Sequence, residues 1–411
     1  MLSQKQIDVM RWPYTGHTAL ICDGAVRAGK TAIMYTAFVL WAMGNFNRCN
    51  FGICGKTVGS AERNIIQPML GTRYLTGNFK MSYSRSTHTL TASRGGKTNT
   101  FYIFGGKDES SYMLIQGITL AGVLLDEVAL MPQSFVDQAL ARCSVSGAKF
   151  WFNCNPDVPE HWFNKEWIMK AGKKDATHIH FLMTDNPSLD AATIERYKNL
   201  YSGMFYQRYI EGRWVAGDGI IYDMLTEANV YTPEQEPPGI YYRGTRYIAV
   251  DYGTTNPQVY LDCVDDGETV WVHDEYRWDS QQEMRQKTDG EYADDFQTFM
   301  GADPQFLCPA VVDPSAASFK LELQRRGIMV QDANNDVLDG IRHTATLIKQ
   351  RRIMISDRCS GLISELHSYV WDSKAAKNGV ERPVKTQDHG PDALRYLVNT
   401  VLPKWRFGEV E

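Results

Sequence analysis

The chain has 411 residues, of which 43% are hydrophobic and 22% charged, a composition ordinary for a globular protein and long enough for two or three domains. No apolar stretch reaches the length of a membrane span, and the N-terminal MLSQKQIDVMRW lacks the hydrophobic segment of a secretion signal, so neither is expected. The net charge of −5 divides into +7 over residues 1–213 and −12 over residues 214–411, which suits phosphate contacts in the first half and divalent metal in the second.

Residues 1–213 alternate apolar runs with helical patterns. Strands are predicted at TALIC, NFGIC, AGVLLDE and KFWFNCN, and helices at TAIMYTAFVLWAM, GSAERNIIQPML and QSFVDQALARC. This rhythm predicts an α/β domain with a mostly parallel sheet and helices on both faces. With the motif GAVRAGKT after its first strand, the domain is expected to be a P-loop NTPase domain. The segment SRSTHTLTASRGGKTNTFYIFGG alternates polar and apolar residues around Gly-Gly, and we expect an inserted antiparallel hairpin there.

The stretch GAVRAGKT between the first strand and helix fits a phosphate-binding loop through Gly24, Gly29, Lys30 and Thr31. In such loops glycines let backbone N–H groups wrap phosphates, the lysine contacts β- and γ-phosphate oxygens, and the threonine binds Mg²⁺. The alternative is a helix-initiating turn with a solvated lysine. A second GKT at 55–57 lacks the first glycine of the motif, so Lys56 is interpreted as ordinary, or as a DNA or inter-subunit contact.

Two consecutive acids, Asp126 and Glu127, end the strand AGVLLDE. In a nucleotide hydrolase, Asp126 would hold Mg²⁺ through water and Glu127 would polarise the attacking water. A charged pair at a strand end is the simpler alternative.

Polar residues around the next strand complete the candidate nucleotide site. Asn153 or Asn155, in KFWFNCNPD, could sense the γ-phosphate, although a loop asparagine in a turn is an equal alternative. Arg27 and Arg142 are candidate arginine fingers, and either could instead form a surface ion pair.

The sequence changes character after a helical stretch that ends near residue 214. Residues 214–243 are rich in Gly, Pro and acidic residues without periodicity, and are predicted as a linker. From residue 244 to 411, RYIAVDYG, PQVYLDCV and TVWVHDEYRW predict three antiparallel strands, followed by α/β units and a last helix in DHGPDALRYLVNTVL. Pro391 is expected at the first position of that helix, with His389 just outside it.

Three acids of the second half occur where chemistry is plausible: Asp251 within an apolar strand, Asp313 at the end of AVVD, and Asp392 in the first turn of the last helix. Together they fit a ribonuclease H-like site in which two Mg²⁺ or Mn²⁺ ions bridge a scissile phosphate. His389 could join the metal ligands or move a proton. Asp313 and Asp392 have structural alternatives as helix caps or helix-dipole partners, but a buried Asp251 requires compensation. Asp388 and Glu275 are reserve ligands.

The eight cysteines form no C-x-x-C pair, and several lie in strand-like runs. Buried free thiols are therefore expected, and a zinc site is not.

The ordered set GAVRAGKT, VLLDE, VDYG, VVDPS and DHGPDALRY resembles the large terminase subunit of tailed bacteriophages, over about residues 10–400. It looks most like the branch found in phages and prophages of Gram-positive bacteria. The resemblance implies an ATPase that pumps double-stranded DNA into a procapsid, followed by a ribonuclease H-like nuclease that cuts the concatemer.

The resemblance also implies partners and residue roles. The partners are double-stranded DNA, the portal protein, the small terminase subunit and four further copies in a ring of five, with the chain in the host cytoplasm and transiently at the portal vertex. In the ATPase, the resemblance implies that ATP–Mg²⁺ is bound by Lys30, Thr31 and Asp126, that Glu127 is the catalytic acid, and that the segment Asn153 to Asn155 couples hydrolysis to movement. In the nuclease, it implies that the metals are held by Asp251, Asp313 and Asp392, with His389. The nucleotide base would be contacted by Gln6, Trp12 or Tyr14. The coupling segment departs from the family because it is rich in asparagine rather than in hydroxyl residues.

Two other interpretations remain open from the sequence. A P-loop helicase or recombination ATPase with an appended nuclease would carry further motor motifs, and none is found. A non-catalytic scaffold whose acids bind structural metal would contain the same carboxylates.

Overall fold

The computed structural model describes residues 2–254, 256–301 and 308–407. The chain forms two units. The first comprises residues 1–195, 206–216 and 377–380, and the second comprises 196–205, 217–376 and 381–411.

The first unit is built on an eight-stranded sheet. Its strands are β1 (Ala19–Gly24), β2 (Asn50–Gly55), β3 (Lys80–Ser84), β4 (Thr89–Arg94), β5 (Lys97–Gly105), β6 (Gly122–Asp126), β7 (Lys149–Asn153) and β8 (Ala176–Phe181). The order is β3-β4-β5-β2-β6-β7-β1-β8. Strands β3, β4 and β5 pair antiparallel, and every pair from β5 to β8 is parallel. The predicted parallel sheet and inserted hairpin are both present.

Helices flank this sheet. They are α1 (Gln4–Arg11), α2 (Lys30–Asn45), α3 (Val58–Ala61), α4 (Gln67–Gly71), α5 (Arg73–Asn78) and α6 (Gln133–Ala141). Alternate residues of β1 enter different cores: Leu20 packs in one with Phe38 and Trp151, and Ile21 packs in the other with Phe152. A strand buried on both faces has to be apolar along its whole length, which explains the run TALIC.

The single helix predicted before residue 214 is two helices, α7 (Ala191–Leu200) and α8 (Gly203–Tyr209). Gly203, with φ of +50°, separates them, because a left-handed residue cannot continue an α-helix. Each helix spans a boundary between the units.

The second unit has a seven-stranded mixed sheet. Its strands are β9 (Val230–Tyr231), β10 (Thr245–Asp251), β11 (Gln258–Asp265), β12 (Val270–Trp278), β13 (Ala310–Val312), β14 (Val330–Asp332) and β15 (Ile353–Ser356), in the order β14-β13-β10-β11-β12-β15-β9. Strands β10, β11 and β12 form the predicted antiparallel meander, and the remaining pairs are parallel. The helices are α9 (Ile240–Arg243), α10 (Asp289–Met300), α11 (Ala317–Arg325), α12 (Val337–Lys349), α13 (Ser360–Ser368), α14 (Ser373–Lys377) and α15 (His389–Val401).

The segment predicted as a linker, 214–243, differs from this division. From residue 217 onward it belongs to the second unit, and β9 forms an edge of that unit's sheet. A two-residue strand and short helical turns leave no periodicity in a sequence, so the segment resembled a linker.

All eight cysteines are free thiols, and six of them are buried, as predicted. Among the described residues, no helix combines the length and apolar character required to cross a bilayer.

Asn99 fixes the end of α2 inside the first core. Its side chain is 1% exposed and donates from Nδ2 to the carbonyl oxygens of Ala42 and Phe46, both at 3.1 Å, while Oδ1 accepts from the Cys49 N–H at 3.0 Å. Asn99→Ala removes these three hydrogen bonds from the core, and we expect the free energy of unfolding to fall by about 1–3 kcal/mol. Denaturant unfolding followed by tryptophan fluorescence measures it.

The matched control is Asn78→Ala. Asn78 makes a similar contact at the end of α5, to the Tyr74 carbonyl at 2.7 Å, but this hydrogen bond is exposed and the residue is only partly buried. Its replacement is expected to change stability by less than about 0.5 kcal/mol. Equal effects of the two substitutions would contradict the importance of burial at Asn99.

Candidate functional site

The first candidate site is the turn between β1 and α2. Gly24 has φ of +126°, and a Cβ there would lie 2.0 Å from the Phe181 carbonyl oxygen, so only glycine fits. Gly29 has φ of +83° and caps the start of α2. The Ala25 N–H donates to the Phe181 carbonyl at 2.8 Å, which fixes the loop to β8. The loop therefore has the constrained backbone that a phosphate-binding turn requires.

Lys30 is buried beneath this loop. Its Nζ donates to the carbonyl oxygens of Gly24 at 3.1 Å and Ala25 at 2.6 Å, and to Asn155 Oδ1 at 3.0 Å. Burial lowers the pKa of Lys30, because desolvation disfavours the ammonium. These three oxygens hold the ammonium in the loop, where an anionic phosphate could accept hydrogen bonds from it.

Thr31, Asp126 and Asn153 form a polar network beside the lysine. Thr31 Oγ1 donates to Asp126 Oδ1 at 3.1 Å, and Asn153 Nδ2 donates to Thr31 Oγ1 at 2.8 Å and also to Asp126 Oδ1. Strands β6 and β1 both flank β7, and their parallel pairing brings the three residues together at the carboxyl ends of these strands. Burial raises the pKa of Asp126, and the hydrogen bonds from Asn153 and Thr31 oppose that effect. The hydroxyl and carboxylate oxygens fit Mg²⁺, which prefers such ligands.

Glu127 follows Asp126 in an unusual backbone conformation, with φ of +56°. Burial raises the pKa of Glu127 to about 7, and the charge of Asp126 adds to this, while Lys56, Lys30 and Arg63 act in the opposite direction. A carboxyl group with a pKa near 7 can accept a proton from water at neutral pH. Arg63 was not identified from the sequence, because it lies in the helical segment Glu62–Ile66, outside the motifs of the nucleotide site.

The other residues that were proposed to contact nucleotide lie in different surroundings. Asn155 contacts Lys30 and Asn153 contacts Asp126, so both asparagines lie at the site. Arg27 is exposed in the loop, with φ of +56°, and its carbonyl accepts from Asn186 Nδ2. Arg142 follows α6, where its carbonyl accepts from a backbone N–H.

The three candidates for contact with the nucleotide base differ in burial and in position. Gln6 is buried, and its Nε2 lies 2.9 Å from where a Cβ at Gly29 would be. Trp12 is buried and donates its indole N–H to Thr177, whereas Tyr14 is 71% exposed. Of the three, Gln6 is placed next to the phosphate loop.

The second candidate site lies at the carboxyl ends of β10 and β13, which are parallel neighbours. Val250 pairs with Val312, so Asp251 and Asp313 leave adjacent strands at the same level. Asp251 Oδ2 lies 2.9 Å from His389 Nδ1, and Tyr396 donates to Asp313 Oδ2 at 2.7 Å.

The start of α15 was predicted two residues too late. The helix begins at His389 after the cap Asp388, and Pro391 is its third residue rather than its first. Proline is tolerated throughout the first turn, because no intrahelical acceptor is available for its missing N–H. His389 is therefore inside the helix and directed at Asp251.

Asp392 is buried among cationic side chains. Its Oδ2 accepts from Lys385 Nζ at 2.9 Å and its Oδ1 from Arg395 Nη2 at 3.1 Å, and Lys385 Nζ also lies 3.2 Å from Asp388 Oδ2. The carboxylates of Asp388 and Asp392 thus already hold a cationic group. All the nearby acids present hard oxygen ligands, so the set fits divalent cations such as Mg²⁺ or Mn²⁺.

Burial has the largest effect on the ionisation of the site, and neighbouring charges and hydrogen bonds modify it. Burial raises the pKa of Asp251 to about 6, the charges of Asp392 and Asp388 add to this, and His389 opposes it. Burial lowers the pKa of His389, but the hydrogen bond and charge of Asp251 outweigh that and leave it raised. At Asp313, hydrogen bonds from Ser315 and Tyr396 outweigh burial and lower the pKa.

The reserve ligand Glu275 has a structural role, and Glu365 was not predicted. Glu275 accepts from Arg277 and from the Leu362 N–H at 3.0 Å. Glu365 accepts from Arg277 Nη1 and from the Gly390 N–H, both at 2.6 Å. The bond from the Gly390 N–H to Glu365 holds the first turn of α15, which carries His389 and Asp392.

A cleft of about 730 Å³ opens onto this second site. Its walls include Asp251, Lys385, Asp388, His389 and Asp392. Asp313 is outside those walls and reaches the site through Tyr396, which lines the cleft.

Comparison with known proteins identifies the family. The family described as "Terminase large subunit, T4likevirus-type, N-terminal" matches residues 21–228. The chain is similar to the large terminase of a thermophilic bacteriophage, with 46% identity and a TM-score of 0.90, over 98% of this chain and 99% of that one. The chain belongs to the terminase large subunit family.

Further relatives of the terminase large subunit family give the same result. Another structure of the large terminase from the thermophilic phage, in complex with ATP-γ-S, has 45% identity and a TM-score of 0.86, over 98% of this chain and 99% of that one. The terminase large subunit of Escherichia phage T5 is 25% identical over 233 residues, 54% of this chain and 51% of the T5 protein. The match thus spans about half the length of the T5 protein. The predicted family and α/β class are confirmed.

Gly24→Ala tests the loop geometry. The added methyl group would meet the Phe181 carbonyl oxygen at 2.0 Å and would impose a strained φ, so β1 and β8 have to separate. We expect the apparent melting temperature to fall by several degrees. Gly16→Ala, next to which nothing lies within 4 Å, is the control and should leave the melting temperature unchanged. A shift no larger than that of the control would show that the loop is not constrained as described.

Proposed function

We propose that this chain is the motor and nuclease subunit of a phage DNA-packaging machine. In this proposal the first unit is the ATPase, and the second unit, which includes residues 217–243, is the nuclease. The observation that carries the proposal is the buried network of Lys30, Thr31, Asp126 and Asn153 under a glycine-constrained loop, in a chain of the terminase large subunit family. ATP is the proposed nucleotide, consistent with the large terminase of the thermophilic phage in complex with ADP and with ATP-γ-S.

The first unit would hydrolyse ATP through its own polar residues. The loop N–H groups and Lys30 hold the β- and γ-phosphates, and Thr31 and Asp126 hold Mg²⁺. When bound, Mg²⁺ neutralises charge on the phosphate oxygens. Glu127 accepts a proton from the attacking water, which its pKa of about 7 permits at neutral pH.

Coupling to movement is assigned to the asparagines. Asn155 contacts the Lys30 ammonium and Asn153 contacts both Thr31 and Asp126. Loss of the γ-phosphate would change the partners of these groups and thereby move the end of β7. Arg27, exposed in the loop, is the proposed arginine finger.

The second unit would cut DNA with two Mg²⁺ or Mn²⁺ ions held by Asp251, Asp313 and Asp392. When bound, the ions activate water and stabilise the leaving oxygen. His389, whose Nδ1 faces Asp251, holds or passes a proton. Lys385 stabilises the acids by its contacts with Asp388 and Asp392.

The partners follow from charge and from family membership. Double-stranded DNA is held through its phosphates by the basic first half, without reading of bases. The portal protein, the small terminase subunit and a ring of five copies at the procapsid complete the proposed machine. The site of action is the host cytoplasm, at the portal vertex.

Glu127→Gln is expected to lower DNA-stimulated ATP turnover by about 10²–10⁴-fold, because an amide cannot accept the proton of the water. Nucleotide binding should persist, since the side chains have the same shape. Phosphate release and binding of a fluorescent ADP analogue measure the two properties.

Two variants control this experiment. Lys30→Ala should abolish nucleotide binding itself, and Glu166→Gln, whose side chain is 41% exposed and paired with Lys170, should leave turnover unchanged. Unchanged turnover in Glu127→Gln would rule out its assigned role.

Asp251→Asn is expected to stop metal-dependent nicking of a plasmid by the full chain while ATP turnover remains. The amide retains the volume of the carboxylate but loses the charge that a divalent ion requires. Asp357→Asn, at an exposed position of the same unit, is the control. Nicking by Asp251→Asn at the rate of the control would contradict the nuclease assignment.

A further inference from the structure

Asp23, His178 and His180 converge next to the phosphate loop, and the proposed function uses none of them. Asp23 precedes Gly24 on β1, and His180 is its register partner on the neighbouring strand β8. His178 is two residues before His180 on the same strand. Because side chains alternate along a strand, both imidazoles project from the same face as Asp23.

The three side chains meet at one oxygen. Asp23 Oδ1 lies 2.7 Å from His178 Nε2 and 2.9 Å from His180 Nδ1. The candidate ligand atoms all lie within 4.8 Å of one another. The other oxygen, Oδ2, accepts the indole N–H of Trp214 at 2.8 Å and is thereby oriented.

The three side chains of the cluster differ in their exposure to solvent. The Asp23 side chain is 2% exposed, while those of His178 and His180 are 30% and 40% exposed. The carboxylate thus lies at the bottom, and the imidazoles form an opening through which an ion and water molecules can enter. Burial raises the pKa of Asp23, but hydrogen bonds from His178 and His180 outweigh it and hold the pKa well below its usual range.

We propose that Asp23, His178 and His180 form a binding site for one divalent transition-metal ion, with Zn²⁺ the preferred occupant. Two borderline imidazole nitrogens together with one carboxylate oxygen suit Zn²⁺ or Co²⁺, whereas Mg²⁺ prefers a set made of oxygen ligands alone. The Trp214 hydrogen bond to Oδ2 is the kind of supporting contact that orients a metal-bound carboxylate. Water completes the coordination on the exposed side.

Binding requires small changes in this cluster. Each imidazole has to present a lone pair rather than a proton to the centre, so the ring protons lie on His178 Nδ1 and His180 Nε2 in the bound form. The ligand atoms have to separate slightly, because each lies about 2.0–2.2 Å from a zinc ion. The exposed edges of both rings allow that movement.

The ion would stiffen the phosphate loop. It would join β8 to the residue before Gly24, and the same region receives the Val26 N–H bond to the Tyr209 carbonyl at 2.9 Å. Gly212 lies against the His180 ring, with a hypothetical Cβ 2.8 Å from Cε1. Metal binding is therefore expected to raise the thermal stability of the first unit.

Hydrogen bonding alone is the competing explanation, since three N–H donors can satisfy a buried carboxylate without metal. The double variant His178→Gln/His180→Gln separates the two. Glutamine amides can still donate to Asp23, but they bind Zn²⁺ and Co²⁺ poorly.

The test uses the full chain, freed of metal by a chelator and kept in excess Mg²⁺ to fill the oxygen-rich sites. Calorimetric titration with Zn²⁺ and visible spectra with Co²⁺ give the number of ions bound and the ligand type. We expect the unaltered chain to bind one equivalent that the double variant lacks. Its Co²⁺ spectrum should show weak visible bands without the intense near-ultraviolet absorption of thiolate ligands. Zn²⁺ should raise the melting temperature of the unaltered chain alone.

Two controls complete the test. His17→Gln alters an exposed histidine paired with Asp175, and His389→Gln alters the second candidate site, so both should retain the equivalent of bound metal. The proposal is overturned if the double variant binds as many ions as the unaltered chain, if thiolate absorption dominates, or if only His389→Gln loses an ion.

Discussion

Burial of opposite charges at the ends of β1, β6 and β7 is the constraint on which the first unit depends. A buried ammonium at Lys30 and a buried carboxyl at Asp126 each cost free energy unless polar groups surround them. The fold meets this cost with loop carbonyls, Thr31 and two asparagines. The groups that stabilise these charges are also the groups that would contact nucleotide and metal, so folding and activity place the same demand on this sheet edge.

The second unit faces the reverse problem, because its site gathers like charges. Burial and the charges of Asp392 and Asp388 raise the pKa of Asp251, whereas the contact with His389 opposes this, and Lys385 lies between the carboxylates of Asp388 and Asp392. The contacts with Lys385 and His389 hold the carboxylate oxygens close together at the mouth of the cleft. Glu365 and Arg277 also line the cleft, and Glu365, held by Arg277, fixes the first turn of α15.

Local sequence patterns predicted many elements of the fold and of the sites, but they could not predict the pairing of segments that are distant in the sequence. The phosphate loop, the acids after β6 and the apolar strands were predictable because each depends on a few adjacent residues and on the two-residue strand repeat. Strand order, the β9 edge and the pairing of Lys385 with two acids depend on contacts between distant segments. The cysteine count argued against zinc, while the H-x-H pattern on β8 was overlooked because its third member lies 155 residues away.

The burial of the thiols has a practical consequence for labelling this protein at a single site. Burial raises the pKa of seven of the eight cysteines, Cys22, Cys54, Cys143, Cys154, Cys263, Cys308 and Cys359, and so suppresses the thiolate that reacts with maleimides. Cys49, which immediately precedes β2, is partly exposed. A serine at that position would give a nearly silent background, into which a single added cysteine could carry a fluorophore for single-molecule measurements.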